Sequence, residues 1–191
     1  MQSTLTFPSF GPSDLEVNPT FNVVVAYEDF ETGKRAKKTY DYLAEHLGHE
    51  CPFTNQMWKF DVLAVPKLRA MAAKDAAAAD IIIIASHGTN PLPAEVRLWI
   101  ELWLGETGRA IALVALFDSL DSCEADLVRA YLASVAGRGK MEFFSQPGLW
   151  PGRKEEAHSN DDAWEKHEKA FSVLAGVVEE NWAMPRWGIN E

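Results

Sequence analysis

The sequence predicts a three-layer α/β fold: a five-stranded parallel sheet covered by helices on both faces. Three observations carry this. Short apolar runs alternate with stretches of helical periodicity. Most of those runs are continuous in apolar residues, as in strands buried on both sides. The length, 191 residues, suits one domain with a substantial core. Right-handed crossovers then leave few topologies, and the order 2-1-3-4-5 is expected.

Each element has its own signal. Phe21–Tyr27 is apolar and rich in valine, hence a buried strand. Thr32 is placed to cap the following helix, which aligns Ala36, Tyr40, Leu43, Ala44 and Leu47 on one face and ends at Gly48. Phe60–Val65 reads as the second strand. Pro66 opens a helix that turns Leu68, Met71, Ala72, Ala76 and Ala79 inward. Ile81–Ala85 is the most hydrophobic strand and so the expected centre of the sheet. Pro93 starts a helix running through Trp103, and Arg109–Phe117 is the fourth strand. Asp121 or Ser122 caps a helix carrying Leu127, Val128, Tyr131, Leu132 and Val135 inward to Gly137. Met141–Phe144 is the fifth strand. A last helix is expected over 160–182, with Trp164, His167, Phe171, Leu174 and Val178 on its inner face. The domain so defined covers 21–182, between an arm at 1–20 containing Pro8, Pro12 and Pro19 and a tail at 183–191.

Charge and composition exclude several classes. Eighteen Lys and Arg against 28 Asp and Glu leave a net charge of −10, which argues against nucleic acid. No apolar run approaches the roughly 20 residues that span a bilayer, so no membrane is expected. The first twenty residues lack a basic start and an apolar block. Two cysteines, Cys51 and Cys123, are too few for a disulfide framework, so the cytoplasm is the expected compartment.

Ligands in such folds bind at the carboxyl ends of the strands, so three loops matter most: Glu28–Lys34, Ser86–Pro93 and Asp118–Cys123. The first loop has neither a G-x-G-x-x-G nor a Walker A pattern. Glu28 and Asp29 form an acidic pair of hard oxygens suited to Mg²⁺. Thr32, Gly33, Lys34 and Arg35 offer N–H groups, a hydroxyl and positive charge to a small anionic ligand or a partner protein. A solvated helix face explains the basic residues equally well. From the other loops, Ser86, His87, Gly88 and Asp118 would face Glu28 and Asp29 across the crevice.

The segment from Ala79 to Trp103, with Asp80 opening an apolar strand, a polar loop Ser86–Asn90, Pro93 and Trp99, resembles the central segment of flavodoxin-like flavoproteins. That family includes the NAD(P)H-dependent FMN reductases. The resemblance implies FMN, with Thr32 and Gly33 at its phosphate and Ser86, His87 and Gly88 near the ring. The Glu28-Asp29 pair, with Gln146-Pro147 after the fifth strand, is similar to response-regulator receiver domains. The phosphoacceptor place at the end of the third strand holds Ala85 or Ser86, so the resemblance implies a degenerate, non-phosphorylated receiver. His87-Gly88 at a strand end with Cys123 beyond the next strand is similar to caspase-like peptidases, implying His87 as base and Cys123 as nucleophile.

Three functions therefore stand open: a non-catalytic regulatory or ligand-binding pseudo-receiver, an FMN-binding oxidoreductase, and a Cys–His hydrolase. The helix 93–104 is apolar nearly all round, more than one sheet can cover. A homodimer through this helix is one expectation, and a fold-back of Met184–Trp187 over it is the other.

Overall fold

The computed structural model describes residues 20–47, 52–118 and 123–147. The strands are β1 (Phe21–Tyr27), β2 (Phe53–Lys59), β3 (Ile81–Ala85), β4 (Ala112–Phe117) and β5 (Glu142–Pro147). The helices are α1 (Phe30–Leu47), α2 (Pro66–Ala77), α3 (Ala94–Leu104) and α4 (Cys123–Gly139). All strand pairs are parallel, in the order β2-β1-β3-β4-β5, which is the flavodoxin-like order expected from the sequence. The arm before Thr20, the cap at Asp121 or Ser122, the helix expected over 160–182 and the tail lie outside the described residues.

Every residue of β3 and β4 is buried, and β1 is buried through Val23–Ala26. Alternate side chains enter two cores. On one face Val23, Val25, Ile81, Ile83, Val114 and Leu116 pack with Ala36, Tyr40 and Leu43 of α1. On the other, Val24, Ala26, Ile82, Ile84, Leu113, Ala115 and Phe117 meet α2, α3 and α4. The inward residues of α2 are Ala72, Ala73 and Ala76, whose small side chains let it sit close. The wide residues come from α3, where Val96, Trp99, Ile100 and Trp103 lie at helical spacing and are buried.

Asp80 clamps the edge of the sheet where β3 begins. Its carboxylate accepts the Asn22 N–H at 2.8 Å and an Arg109 Nη2–H at 2.8 Å. Arg109 also donates from Nε to the Ala78 carbonyl at 2.9 Å. This acid therefore ties the start of β1 and the segment before β4 to the start of β3, at the opposite end of the sheet from the crevice.

Four expectations need correction. The second strand is Phe53–Lys59, not Phe60–Val65. As the outer strand it exposes Thr54 and Gln56, and its mixed polarity hides it from a search for apolar runs. Residues Phe60–Ala64 form a 3-10 turn, whose three-residue repeat puts Phe60 and Leu63 together in the core. In α2, Met71 is exposed and Leu68 only half-buried, because the alanine face turns inward instead. In α4, Leu127 is exposed while Val128, Leu132 and Val135 are buried. The fourth and fifth strands start at Ala112 and Glu142, and Arg109 lies outside its strand in the Asp80 clamp.

Ile83→Ala, in the fully buried centre of β3, is expected to lower stability by about 2–5 kcal/mol. Leu127→Ala should stay within about 0.5 kcal/mol of wild type. Urea denaturation midpoints of the two variants check both values.

Candidate functional site

The carboxyl ends of β1, β3 and β4 lie side by side, so the first residues beyond them converge. The ladders continue one step beyond the strands. The Glu28 N–H donates to the Ala85 carbonyl at 3.0 Å, and the Ser86 N–H donates to the Leu116 carbonyl at 3.0 Å. This brings Glu28, Asp29, His87 and Asp118 to one place.

Helix α1 begins at Phe30, and its N-cap is Asp29 rather than the expected Thr32. Three residues apart, the two cap each other: the Thr32 N–H donates to Asp29 Oδ1 at 3.0 Å, and the Asp29 N–H donates to Thr32 Oγ1 at 2.8 Å. The Thr32 hydroxyl donates to the Asp29 carbonyl at 2.9 Å, and Thr32 is fully buried. Gly33 is also buried, under the ring of Tyr27. A Cβ there would fall 2.8 Å from Tyr27 Cδ2, so only glycine lets the first turn of α1 press onto the end of β1. The pattern Asp-x-x-Thr ahead of a helical stretch was the available signal for this cap.

His87 sits between two carboxylates. Its Nε2 is 2.8 Å from Asp29 Oδ2, and its Nδ1 is bonded to Asp118 Oδ2. The His87 backbone N–H donates to Glu28 Oε2 at 2.8 Å. Arg35, nearly two turns along α1 from the Asp29 cap, donates from Nη2 to the Ser86 carbonyl at 2.9 Å and pairs through Nη1 with Asp118 Oδ1. Each ring nitrogen of His87 therefore has a carboxylate oxygen as its partner.

The electrostatics follow from these bonds. The hydrogen bond from His87 holds the Asp29 carboxyl well below the ordinary aspartate range. The Thr32 N–H adds to this, and partial burial opposes it. Burial pulls the Arg35 guanidinium below its ordinary value, and the charges of Asp29 and Glu28 counter that pull.

The left-handed Gly88 (φ 74°) shapes the loop after β3. A Cβ there would meet Ala125 Cβ at 3.1 Å and Phe117 Cδ1 at 3.2 Å, so the loop lies close against the start of α4. The Ser86 Oγ is buried and has no hydrogen-bond partner among the described residues. Lys34 stands at the rim, 3.4 Å from Glu31 Oε2 and 5.4 Å from the centre of the exposed Phe30 ring. An exposed phenylalanine at this rim was not anticipated from the sequence.

The structure thus brings together Glu28, Asp29, Arg35, Ser86, His87, Gly88 and Asp118, and leaves Lys34 outside the cluster. Thr32 and Gly33 are turned to other work, one capping the helix and one against Tyr27. Trp99 is wholly a core residue. Cys123 is an exposed free thiol at the first position of α4. Both His87 nitrogens face carboxylates, so the ring has none left to serve that thiol as a base. Among the described residues, no group of three or more His, Cys, Asp or Glu is arranged to hold a metal ion.

The residues present do not fit FMN. The helix N-terminus that would receive its phosphate is capped by the Asp29 carboxylate, and like charges repel. The hydroxyl and glycine that the resemblance assigned to the phosphate are buried and engaged.

No family model matches this sequence, and no curated protein matches it. Among solved structures it is similar to the Trp repressor binding protein from Bacillus subtilis (9% identity, 81% of this chain and 96% of the other, TM-score 0.43). It is also similar to a short-chain flavodoxin associated with a non-canonical PDU bacterial microcompartment (11% identity, 83% and 98%, TM-score 0.47).

Asn caps a helix as well as Asp does, so Asp29→Asn isolates the ionic contact with His87. Asp29 titrates lower when folded than when unfolded. Its stabilisation is therefore complete above the unfolded value of about 4 and fades as pH falls toward the folded one. The side chain is 46% exposed, so the variant should lose under about 1 kcal/mol at neutral pH. That difference should shrink below about pH 4, as denaturation curves across the acid range will record.

Proposed function

We propose that this chain is a non-catalytic regulatory or ligand-binding module, receiver-like in architecture, whose strand-end crevice is a latch and whose recognition falls to the rim. The observation that supports this reading is the use of the chemically capable groups on one another. Glu28, Asp29 and Asp118 give oxygens to His87, Thr32 and Arg35. A receiver-like Mg²⁺ site needs those oxygens free. The place of a phosphoacceptor at the end of β3 holds Ala85, followed by a buried hydroxyl at Ser86. Chemistry on a bound flavin would require a phosphate where Asp29 stands.

Recognition is assigned instead to exposed groups beside the latch. Lys34 and Phe30 present a positive charge over an apolar ring, suited to an anionic group on a small ligand or a partner protein. A cytoplasmic location accords with the exposed thiol of Cys123. No helix among the described residues is long and apolar enough to cross a membrane.

Titration of the 191-residue chain with FMN is expected to leave flavin fluorescence unquenched, and Mg²⁺ is expected to leave the melting temperature unchanged. Quenching at micromolar FMN, or a melting temperature that rises with Mg²⁺, would overturn the proposal.

A further inference from the structure

Helix α3 is the middle helix of its layer, packed against α2 on one side and α4 on the other. Its inner face is satisfied by Val96, Trp99, Ile100 and Trp103. Its outer face carries a second apolar stripe. Leu98 is 53% exposed and Leu102, one turn on, is 48% exposed. Met71 on the neighbouring helix α2 is 48% exposed as well. Solvated leucines one turn apart on a central helix form a strip that a globular surface usually covers.

The charges beside the stripe identify the cover. Arg97 and Glu101 are exposed, one turn apart, on the flank of α3 nearest α4. Both act on Tyr131 of α4, and Glu101 accepts Arg138 Nη1–H and Nη2–H at 3.1 and 2.6 Å. A contact between two identical chains about a two-fold axis must be complementary to itself. When two copies of one helix cross antiparallel, like flanks meet with their order reversed. An axis midway between Arg97 and Glu101, level with residue 99, sets Arg97 against Glu101 of the second copy and Glu101 against its Arg97. The same axis brings Leu98 beside Leu98 of the second copy, with Leu102 one turn further out on each side. One operation therefore pairs both charges and joins the leucines at the centre of the stripe.

We infer that the outer face of α3 is a two-fold contact between two copies of this chain, built on Leu98 and Leu102 and keyed by Arg97 and Glu101. The contact is independent of the crevice, which lies at the strand ends.

The charge pattern supplies the test. The 191-residue chain at tens of micromolar should show twice its mass of 21.3 kDa by light scattering. Arg97→Glu leaves acid facing acid at both charged pairs, and Glu101→Arg leaves base facing base. Each variant alone should therefore run as a monomer. In an equimolar mixture of the two, an all-acidic flank meets an all-basic one, so every facing pair is opposite in charge and the double mass should return. Melting curves of the single variants separate loss of association from loss of fold. A monomeric wild type overturns the inference and leaves the stripe to a segment of the same chain. Single variants that keep the double mass, or a mixture that stays monomeric beside a dimeric wild type, overturn it too.

Discussion

Burial of the central strands on both faces is the constraint from which the rest of this structure follows. β3 and β4 expose no side chain, and β1 exposes little. A sheet with no polar face needs helices above and below it, and helices on both sides of parallel strands require crossovers of one hand. Those crossovers send the chain out of β1 toward one layer and out of β3 and β4 toward the other. The three strands lie side by side, so their outgoing loops meet at one edge. The polar cluster is thus a consequence of how the apolar residues are hidden.

What occupies that edge is decided by charge. Three carboxylates brought together without partners would repel, and the fold supplies Arg35 and His87 to link them. The links are mutual. Asp29 caps α1, α1 carries Arg35 back to Asp118, and Asp118 holds the ring whose other nitrogen meets Asp29. Glu28 closes the set by accepting the His87 backbone N–H. The start of α1, the loop after β3 and the end of β4 are tied by side chains at the strand ends, where open α/β sheets commonly receive a ligand. Gly33 and Gly88 make this closeness available, one under Tyr27 and one against Phe117 and Ala125.

Helix α3 shows the same economy at its other surface. A helix of eleven residues with seven large apolar side chains cannot face all of them inward. Four enter the core beside the alanine face of α2, and Leu98 and Leu102 are left outside. Bulky residues on α3 and small ones on α2 are two halves of one packing solution. The stripe that remains outside belongs to whatever surface completes it.

The sequence alone determined the strand order, the buried strands β1, β3 and β4, the inward face of α1 and the strand ends that carry the crevice. Each rests on a local pattern: a continuous apolar run, a helical spacing, a proline at a helix start. It also named the residues that meet there, since polar side chains at the ends of apolar runs stand out. Tertiary structure decided what local patterns do not contain. Thr54 and Gln56 belong to a strand because β1 offers an edge, whereas Phe60 and Leu63 belong to a 3-10 turn because the core has room for two residues at that spacing. Met71 and Leu127 were left in solvent because smaller neighbours fit the space. Asp29, not Thr32, became the cap, and its other oxygen met a ring 58 positions away. Periodicity reports which side of an element is apolar. Only the assembled chain sets which groups compete for one hydrogen bond or one volume, because that competition is between residues far apart in sequence.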